Sequence, residues 1–288
     1  MFAARLGRCA SNRWPAASST GLLCPRTIPR ARWNSTAAAA DGPAISETNR
    51  AEATMKRFWE DVGIEKRGST LAVTLDGRPL KTPGGKVLTL PQNKSLLASL
   101  IAAEWDHQAT LLKPHALPAT SIAARAVDDL QEGVTRAEVQ EALLKYLDTD
   151  TVCFYQDHPP QLERLQAEHW DPLLDWARKT FNVEINKAES LLSSSQPAET
   201  KEKFRKVLAK FDQWEMAAME RATYVTKSFI IALGLVTKHL TVEQAALAAT
   251  VEVCSQIERW GEVEDTHDVD YHDVRRQLGS AACLLSNV

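Results

Sequence analysis

The 288-residue sequence lacks the short motifs that mark several common enzyme classes. It has no Gly-x-Ser-x-Gly nucleophile turn, no glycine-rich dinucleotide fingerprint and no Cys-x-x-Cys pair. The three cysteines beyond the first forty residues, Cys153, Cys254 and Cys283, are widely spaced, which is not the pattern of a zinc knuckle or a redox pair. We therefore expect no catalytic set, no cofactor and no metal site.

Long apolar runs are also missing. The longest, around residues 228–236, is about half the length that a bilayer-spanning helix requires, so it indicates a buried core helix. The hydrophobic content of 44% and the charged content of 25% are ordinary for a globular protein with a sizeable core. We expect one or two domains and no stable membrane insertion.

The first forty residues contain no acidic side chain, and Asp41 is the first acid in the chain. The first forty residues contain six arginines, several serines and no lysine. This composition is typical of a mitochondrial transit peptide, and no unbroken apolar stretch follows the first arginines as it would in a secretory signal. We expect residues 1–47 to be a transit peptide and linker, and the mature protein to reside in the mitochondrial matrix.

The charge balance indicates which class of partner to expect. The whole chain has 34 basic and 37 acidic residues, a net charge of −3, and loss of the six leader arginines leaves 28 against 37, a net charge of −9. Binding to nucleic acid relies on a basic face that neutralises phosphates. We therefore expect no nucleic-acid partner, whereas a protein partner remains open.

Strand signals dominate the first ordered segment. Residues 62–66, 71–75 and 86–90 are short and β-prone, and Asp76-Gly77 is a strong signal for a tight hairpin. These features predict a small antiparallel meander.

Helical periodicity takes over from about residue 93. Leu97, Ile101 and Trp105 recur every four residues on one face of a predicted helix, so Trp105 is expected in the core or between domains. The fold class is therefore α+β, with a small antiparallel β-rich domain and its following helix at 48–118. A larger all-helical domain at 119–288 follows it.

The strongest signals for a helix start and a helix end lie at the two ends of residues 240–261. Thr241 and Gln244 form a capping box, and Gly261 is a typical residue just past a helix end. Apolar residues recur between them at spacings of three and four, which predicts one continuous helix of about five turns with this apolar stripe: Ala246, Ala249, Val253, Ile257 and Trp260. Glu252 and Gln256 lie one turn apart at the stripe's edge, where a half-buried carboxylate is able to reach a partner.

Two acidic clusters are candidate chemical sites. Asp148 and Asp150 flank a threonine before a strand-like segment, but no third ligand lies near them in sequence, and such residues often cap turns. His267 and His272 are five apart in an acidic stretch, which is not a known zinc spacing. We interpret both as structural or solvated segments.

Five stretches stand out along the chain. They are L-D-G-R-P-L-K-T-P at 75–83, A-E-W-D at 103–106, L-D-T-D-T-V-C-F-Y at 147–155, W-D-P-L-L-D-W at 170–176, and T-V-E-Q-A…E-x-x-x-Q-I-E-x-W-G at 241–261. In this order and spacing they resemble the mitochondrial assembly chaperones that handle the alpha subunit of F1-ATPase. The resemblance implies the two-part fold, no enzymatic activity and no ATP use. It also implies binding of the unassembled F1 alpha subunit.

The resemblance also suggests where the client binds. The family's functionally sensitive glutamate falls on Glu252 and its sensitive tryptophan on Trp105. Together with Gln256 and Trp260 these are the candidate client-binding residues of an expected monomer. Two alternatives stay open: a matrix enzyme that uses Asp148, Asp150 or the histidine cluster, and a structural subunit of a respiratory complex.

We predict that import is followed by cleavage between Arg32 and Ser46, because the leader is rich in arginine and free of acids. N-terminal sequencing of the protein recovered from mitochondria should start after Arg32. Organellar protein that still begins with Met1 would contradict this prediction.

Overall fold

A computed structural model of the chain describes residues 55–188 and 195–288; the expected transit peptide at 1–47 lies outside them. A four-stranded antiparallel sheet comes first. Its strands are β1 (Val62–Arg67), β2 (Thr70–Leu75), β3 (Arg78–Pro79) and β4 (Thr89–Pro91). The Asp76-Gly77 hairpin is confirmed, because both residues adopt positive φ, 48° and 73°, between the paired residues Leu75 and Arg78.

The sheet is not a simple meander. β1 pairs with one side of β2, while β3 and β4 both pair with the other side, at opposite ends of β2. The chain leaves this edge between them through a turn held by Asp128, whose carboxylate accepts hydrogen bonds from Thr82 Oγ1 at 2.6 Å and from the Gly84 amide at 2.9 Å. A Cβ on Gly84 would lie 2.7 Å from the Asp128 carboxyl carbon, so this close approach requires glycine.

Helices form the rest of the described chain. They are α1 (Ser95–Asp106), α2 (Pro118–Asp129), α3 (Val134–Lys145), α4 (Pro160–His169), α5 (Asp171–Phe181), α6 (Ala198–Lys210), α7 (Gln213–Thr226), α8 (Phe229–Val236), α9 (Val242–Ala249), α10 (Val251–Trp260) and α11 (His267–Leu284). The small antiparallel sheet followed by a helical region confirms the predicted α+β class.

One continuous core joins the sheet to the helices. Leu97 and Ile101 of α1 are fully buried against it, as their spacing predicts, and α1 packs on β1 and β2. Every residue of α8 is buried, which confirms that the longest apolar run is a core helix. α7 packs between α8, α2 and α11. Whether residues 48–118 fold as a separate domain stays a prediction.

In the sequence, Asp212 and Glu215 are cap signals that predict one helix from there to about Val236. The capping box is confirmed, but the helix that it begins, α7, ends at Thr226, ten residues earlier than predicted. It stops at Lys227, which has a left-handed φ of 54°, and Ser228 caps α8 by accepting a hydrogen bond from the Ile231 amide at 3.0 Å. A serine side chain that satisfies a free amide favours a new helix start over continuation.

The prediction of one continuous five-turn helix at 240–261 is also wrong. Its capping box at Thr241 and Gln244 is confirmed, but the helix breaks at Thr250 into α9 and α10. Thr250 Oγ1 donates to the Ala246 carbonyl at 2.9 Å, a back-bond that competes with regular helix geometry. The buried indole of Trp170 donates to the Ala248 carbonyl at 2.8 Å and stabilises the break.

The break shifts the buried face. The buried residues of α9 and α10 are Ala245, Ala246, Ala248, Val251 and Ser255. Of the predicted stripe only Ala246 is buried, Ala249, Val253 and Ile257 are partly exposed, and Trp260 is 70% exposed.

Asp150 joins the turn that follows α3 to the start of α8. It is fully buried, and its two carboxylate oxygens accept hydrogen bonds from the amides of Val152 at 3.2 Å and Ile230 at 2.9 Å. Burial raises the pKa of this carboxyl to about 6, while the hydrogen bonds oppose that shift by stabilising the ionised form. Asp150 is thus mostly ionised at neutral pH and serves as a two-sided acceptor.

We predict that Asp150→Asn lowers the free energy of unfolding at pH 7.5 by about 1–3 kcal/mol, because the amide nitrogen cannot accept and leaves one buried N–H unpaired. Urea unfolding measures the loss. Asp148→Asn is the matched control: Asp148 is half-exposed, bonding the Gln196 amide at 2.9 Å and Lys201 at 2.7 Å, so its loss should be smaller. Equal losses would contradict the role given to Asp150.

Candidate functional site

Two adjoining cavities open along the first turn of α10, and Gln156 and Glu252 line both of them. The larger has a volume of about 840 Å³ and the smaller about 290 Å³. We call the two together the groove. The break at Thr250 creates it, since a new helix begins there and places Glu252 at its start.

The larger cavity is apolar with a polar rim. Its lining includes Phe154, Trp170, Val225, Ala249 and Val253, and its polar side chains include Thr149, Thr151, Lys227 and Glu252. These residues come from the turn after α3, the junction of α4 and α5, the C-terminal end of α7, the end of α9 and the start of α10. The site is thus built from segments far apart in the chain.

Glu252 is exposed, rather than half-buried as its place at the stripe edge suggested. It lies in the first turn of α10, where the positive end of the helix dipole favours a carboxylate. Within residues 55–188 and 195–288, neither Glu252 nor Lys227 has an ion-pair partner. The groove therefore carries one acid and one base that form no ion pair with any of the described residues.

Gln256 and Trp260 join Glu252 along the smaller cavity. Gln256 is exposed, and the indole of Trp260 is stacked against the guanidinium of Arg259, whose central carbon lies 4.9 Å from the ring centre. Arg164 holds α4 beside α10 through two hydrogen bonds to Glu258, at 2.7 and 2.8 Å. Three of the four predicted client-binding residues thus line one surface.

Exposed apolar side chains continue beyond the groove. Val263, just after α10, is 59% exposed and stands in the acidic stretch 262–270. Trp260 and Val263 therefore present apolar surface beside a run of carboxylates.

Trp105 lies elsewhere and lines neither cavity of the groove. Its ring packs 5.0 Å from that of Trp59, and its indole N–H donates to Thr120 Oγ1 at 3.1 Å. Glu104 beside it accepts hydrogen bonds from the amides of Ala119 at 2.7 Å and Thr120 at 2.9 Å. This contact joins α1 to the start of α2, so Trp105 is placed to stabilise the fold.

The acidic clusters have structural partners. Asp148 and Asp150 bond backbone amides, as described above, and His267 Nδ1 accepts a hydrogen bond from the Val263 amide at 3.0 Å. His272 packs its ring edge-on to Tyr271. Within the described ranges no group of three potential metal-ligating side chains comes together. No helix in those ranges is long and apolar enough to cross a membrane.

Several lining residues were not singled out from the sequence. Lys227 was missed because no break was predicted at the end of α7, and Gln156 because it follows a segment interpreted as a strand. Tyr155 forms part of the rim: its hydroxyl donates to Asp171 at 2.7 Å and the ammonium of Lys187 lies 3.7 Å from its ring centre. Burial raises the pKa of this hydroxyl, so Tyr155 stays a hydrogen-bond donor at physiological pH.

An open groove with an apolar floor, a charged rim and an exposed tryptophan is suited to holding part of another protein chain. The comparisons with known proteins agree with such a role. Residues 56–178 match the family model described as ATP12 chaperone protein. The chain is 34% identical over 237 residues to the mitochondrial protein atp12 of Schizosaccharomyces pombe, covering 80% of this chain and 81% of that one. The chain belongs to the ATP12 chaperone family.

Two further relatives support the assignment. The mitochondrial protein ATP12 of Saccharomyces cerevisiae is 33% identical over 278 residues, covering 82% of this chain and 86% of that one. The crystal structure of Atp12 from Paracoccus denitrificans is 28% identical with a TM-score of 0.68, covering 81% of this chain and 98% of that one. The similarity therefore spans both the sheet and the helical region.

We predict that Trp105→Arg lowers the free energy of unfolding by about 2–4 kcal/mol, because a charge replaces a half-buried indole that packs and hydrogen-bonds. Trp105→Phe keeps most of the packing and should cost much less. Thermal and urea unfolding of both variants measure the difference. If Trp105→Arg unfolds like the parent protein, Trp105 is a surface contact and the interpretation fails.

Proposed function

We propose that this chain is a matrix assembly chaperone that binds the unassembled alpha subunit of mitochondrial F1-ATPase. It prevents aggregation of that subunit and hands it on to the alpha/beta hexamer, without catalysing a reaction. The observation that carries the proposal is the groove, which leaves Glu252, Gln256 and Trp260 accessible on one surface of a chain that belongs to a chaperone family.

A chaperone of this kind follows from simple energetics. A subunit that waits for its partner exposes apolar surface that is normally buried in a large obligate interface, and such surface drives aggregation. A protein that covers it lowers the population of exposed chains by mass action. Release is also required, which favours an open groove with few polar anchors over a very extensive contact.

The two alternatives make different predictions. An enzyme requires convergent polar groups in a pocket, whereas Asp148 and Asp150 are engaged with backbone amides. A structural subunit would co-purify in fixed ratio with a complete respiratory complex. Affinity capture of the mature protein from mitochondria distinguishes the three, since a chaperone should recover free alpha subunit without the assembled enzyme.

We predict that Glu252→Lys abolishes suppression of alpha-subunit aggregation, because the reversed charge repels the client group that the carboxylate attracts. The free energy of unfolding should fall by no more than about 1 kcal/mol, since Glu252 is exposed and the reversal disturbs only its favourable interaction with the helix dipole. Light scattering of the diluted alpha subunit and urea unfolding of the chaperone provide the two measurements.

Glu138→Lys is the matched control. Glu138 is an exposed glutamate of α3 that lines neither cavity, and its reversal changes the net charge equally. Loss of suppression in both variants would assign the effect to overall charge. Full suppression by Glu252→Lys would remove Glu252 from the binding surface.

A further inference from the structure

We infer that the groove recognises its client through two opposite charges that line its larger cavity, Glu252 at the start of α10 and Lys227 at the end of α7. This inference rests on the proposed function and specifies the segment that is bound: an apolar anchor with an acidic side chain near Lys227 and a basic one near Glu252. No aspect of the predicted helix pattern pointed to Lys227.

The backbone of Lys227 is fixed in an unusual conformation. Its φ of 54° lies in the left-handed region, which glycine or asparagine adopts more readily at a helix end. Its carbonyl accepts hydrogen bonds from Thr151 Oγ1 at 3.0 Å and the Thr151 amide at 3.3 Å, so the residue is anchored to the turn that Asp150 caps. The conformation therefore depends on the backbone, and a lysine side chain is not needed to maintain it.

Lys227 is one of the residues that line the larger cavity. It is exposed, and none of the ion pairs in the described ranges involves it. No residue in the described ranges pairs with the ammonium, and the backbone site would favour glycine, so the charge of Lys227 suits contact with a bound molecule better than a structural role.

Glu252 lines the same cavity, and Phe154, Trp170 and Val253 supply apolar surface there. Charged rim groups around an apolar floor select a partner of complementary pattern more than they add affinity. One base and one acid also fix the direction in which a segment lies, because the reversed segment would place like charges together. A chaperone that must release its client gains orientation from such a pair without a very tight complex.

Lys238 provides an internal comparison. It is also a lysine of left-handed φ, 59°, just past a helix end, and it lines neither cavity of the groove. Any general effect of a lysine at such a position on stability or net charge should therefore appear equally in Lys238 variants.

The experiment measures binding of the full mature protein to immobilised, unassembled alpha subunit over a range of salt concentrations. Lys227→Gly should weaken binding about fivefold at low salt, as expected for loss of one exposed ion pair, and Lys227→Glu should weaken it further. Lys227→Arg should retain binding. The salt dependence of Lys227→Gly should be shallower than that of the parent, because one screened attraction is lost. The melting temperature of Lys227→Gly should not fall, since glycine accepts the left-handed backbone.

The outcomes separate this inference from the proposed function. If the parent protein does not bind the alpha subunit, the proposed function fails. If it binds and Lys227→Gly binds equally well, or if Lys238→Gly weakens binding to the same extent, the role of Lys227 is overturned. A concentration-dependent dimer that Lys227→Glu disrupts would instead assign the groove to a second copy of this chain.

Carbodiimide cross-linking of the bound complex should join Lys227 to an Asp or Glu of the client. Cross-links to the client that form only at other lysines of this chain would contradict the inference.

Discussion

The buried carboxylate of Asp150 joins two chain segments that are 80 residues apart at its contact with Ile230. Both hydrogen-bonded amides belong to the starts of short helical segments, the turn after Asp150 and α8. The same turn supplies Thr151, which binds the carbonyl of Lys227, and Phe154, which lines the groove. One charged acceptor in the core thus fixes the geometry of the turn, the end of α7 and one wall of the groove.

Local chemistry explains the parts of the fold that were predicted correctly. The Asp76-Gly77 hairpin and the capping boxes at Asp212 and Thr241 depend on residues within three positions of one another. The buried helix α8 follows from an apolar run that has no polar face to present to water. Signals of this range can be recognised from sequence because the groups that satisfy the backbone are neighbours along the chain.

The parts that failed depend on distant groups. The break at Thr250 is stabilised by the indole of Trp170, which bonds the Ala248 carbonyl 78 residues further along the chain, and the break at Lys227 by Thr151, 76 residues away. The sheet departs from a meander because Asp128 of α2 holds the turn between β3 and β4. Of the candidate site, Glu252, Gln256 and Trp260 were identified and share a surface, whereas Lys227 has no local signature and Trp105 lies outside the groove. The roles of these residues in client binding remain predictions.

The exposed Trp260 and Val263 have a consequence for the chaperone in its empty state. Apolar side chains that are available to a client are equally available to another chaperone molecule, and at high concentration this contact would favour colloidal self-association. The carboxylates of residues 262–270 follow Trp260 and flank Val263 in the chain, and charged neighbours of this kind act as gatekeepers. Two empty copies that approach through this segment bring like charges together first, whereas a client with a basic side chain does not meet the same repulsion. The acidic stretch can therefore keep the unoccupied protein dispersed while its apolar surface stays open.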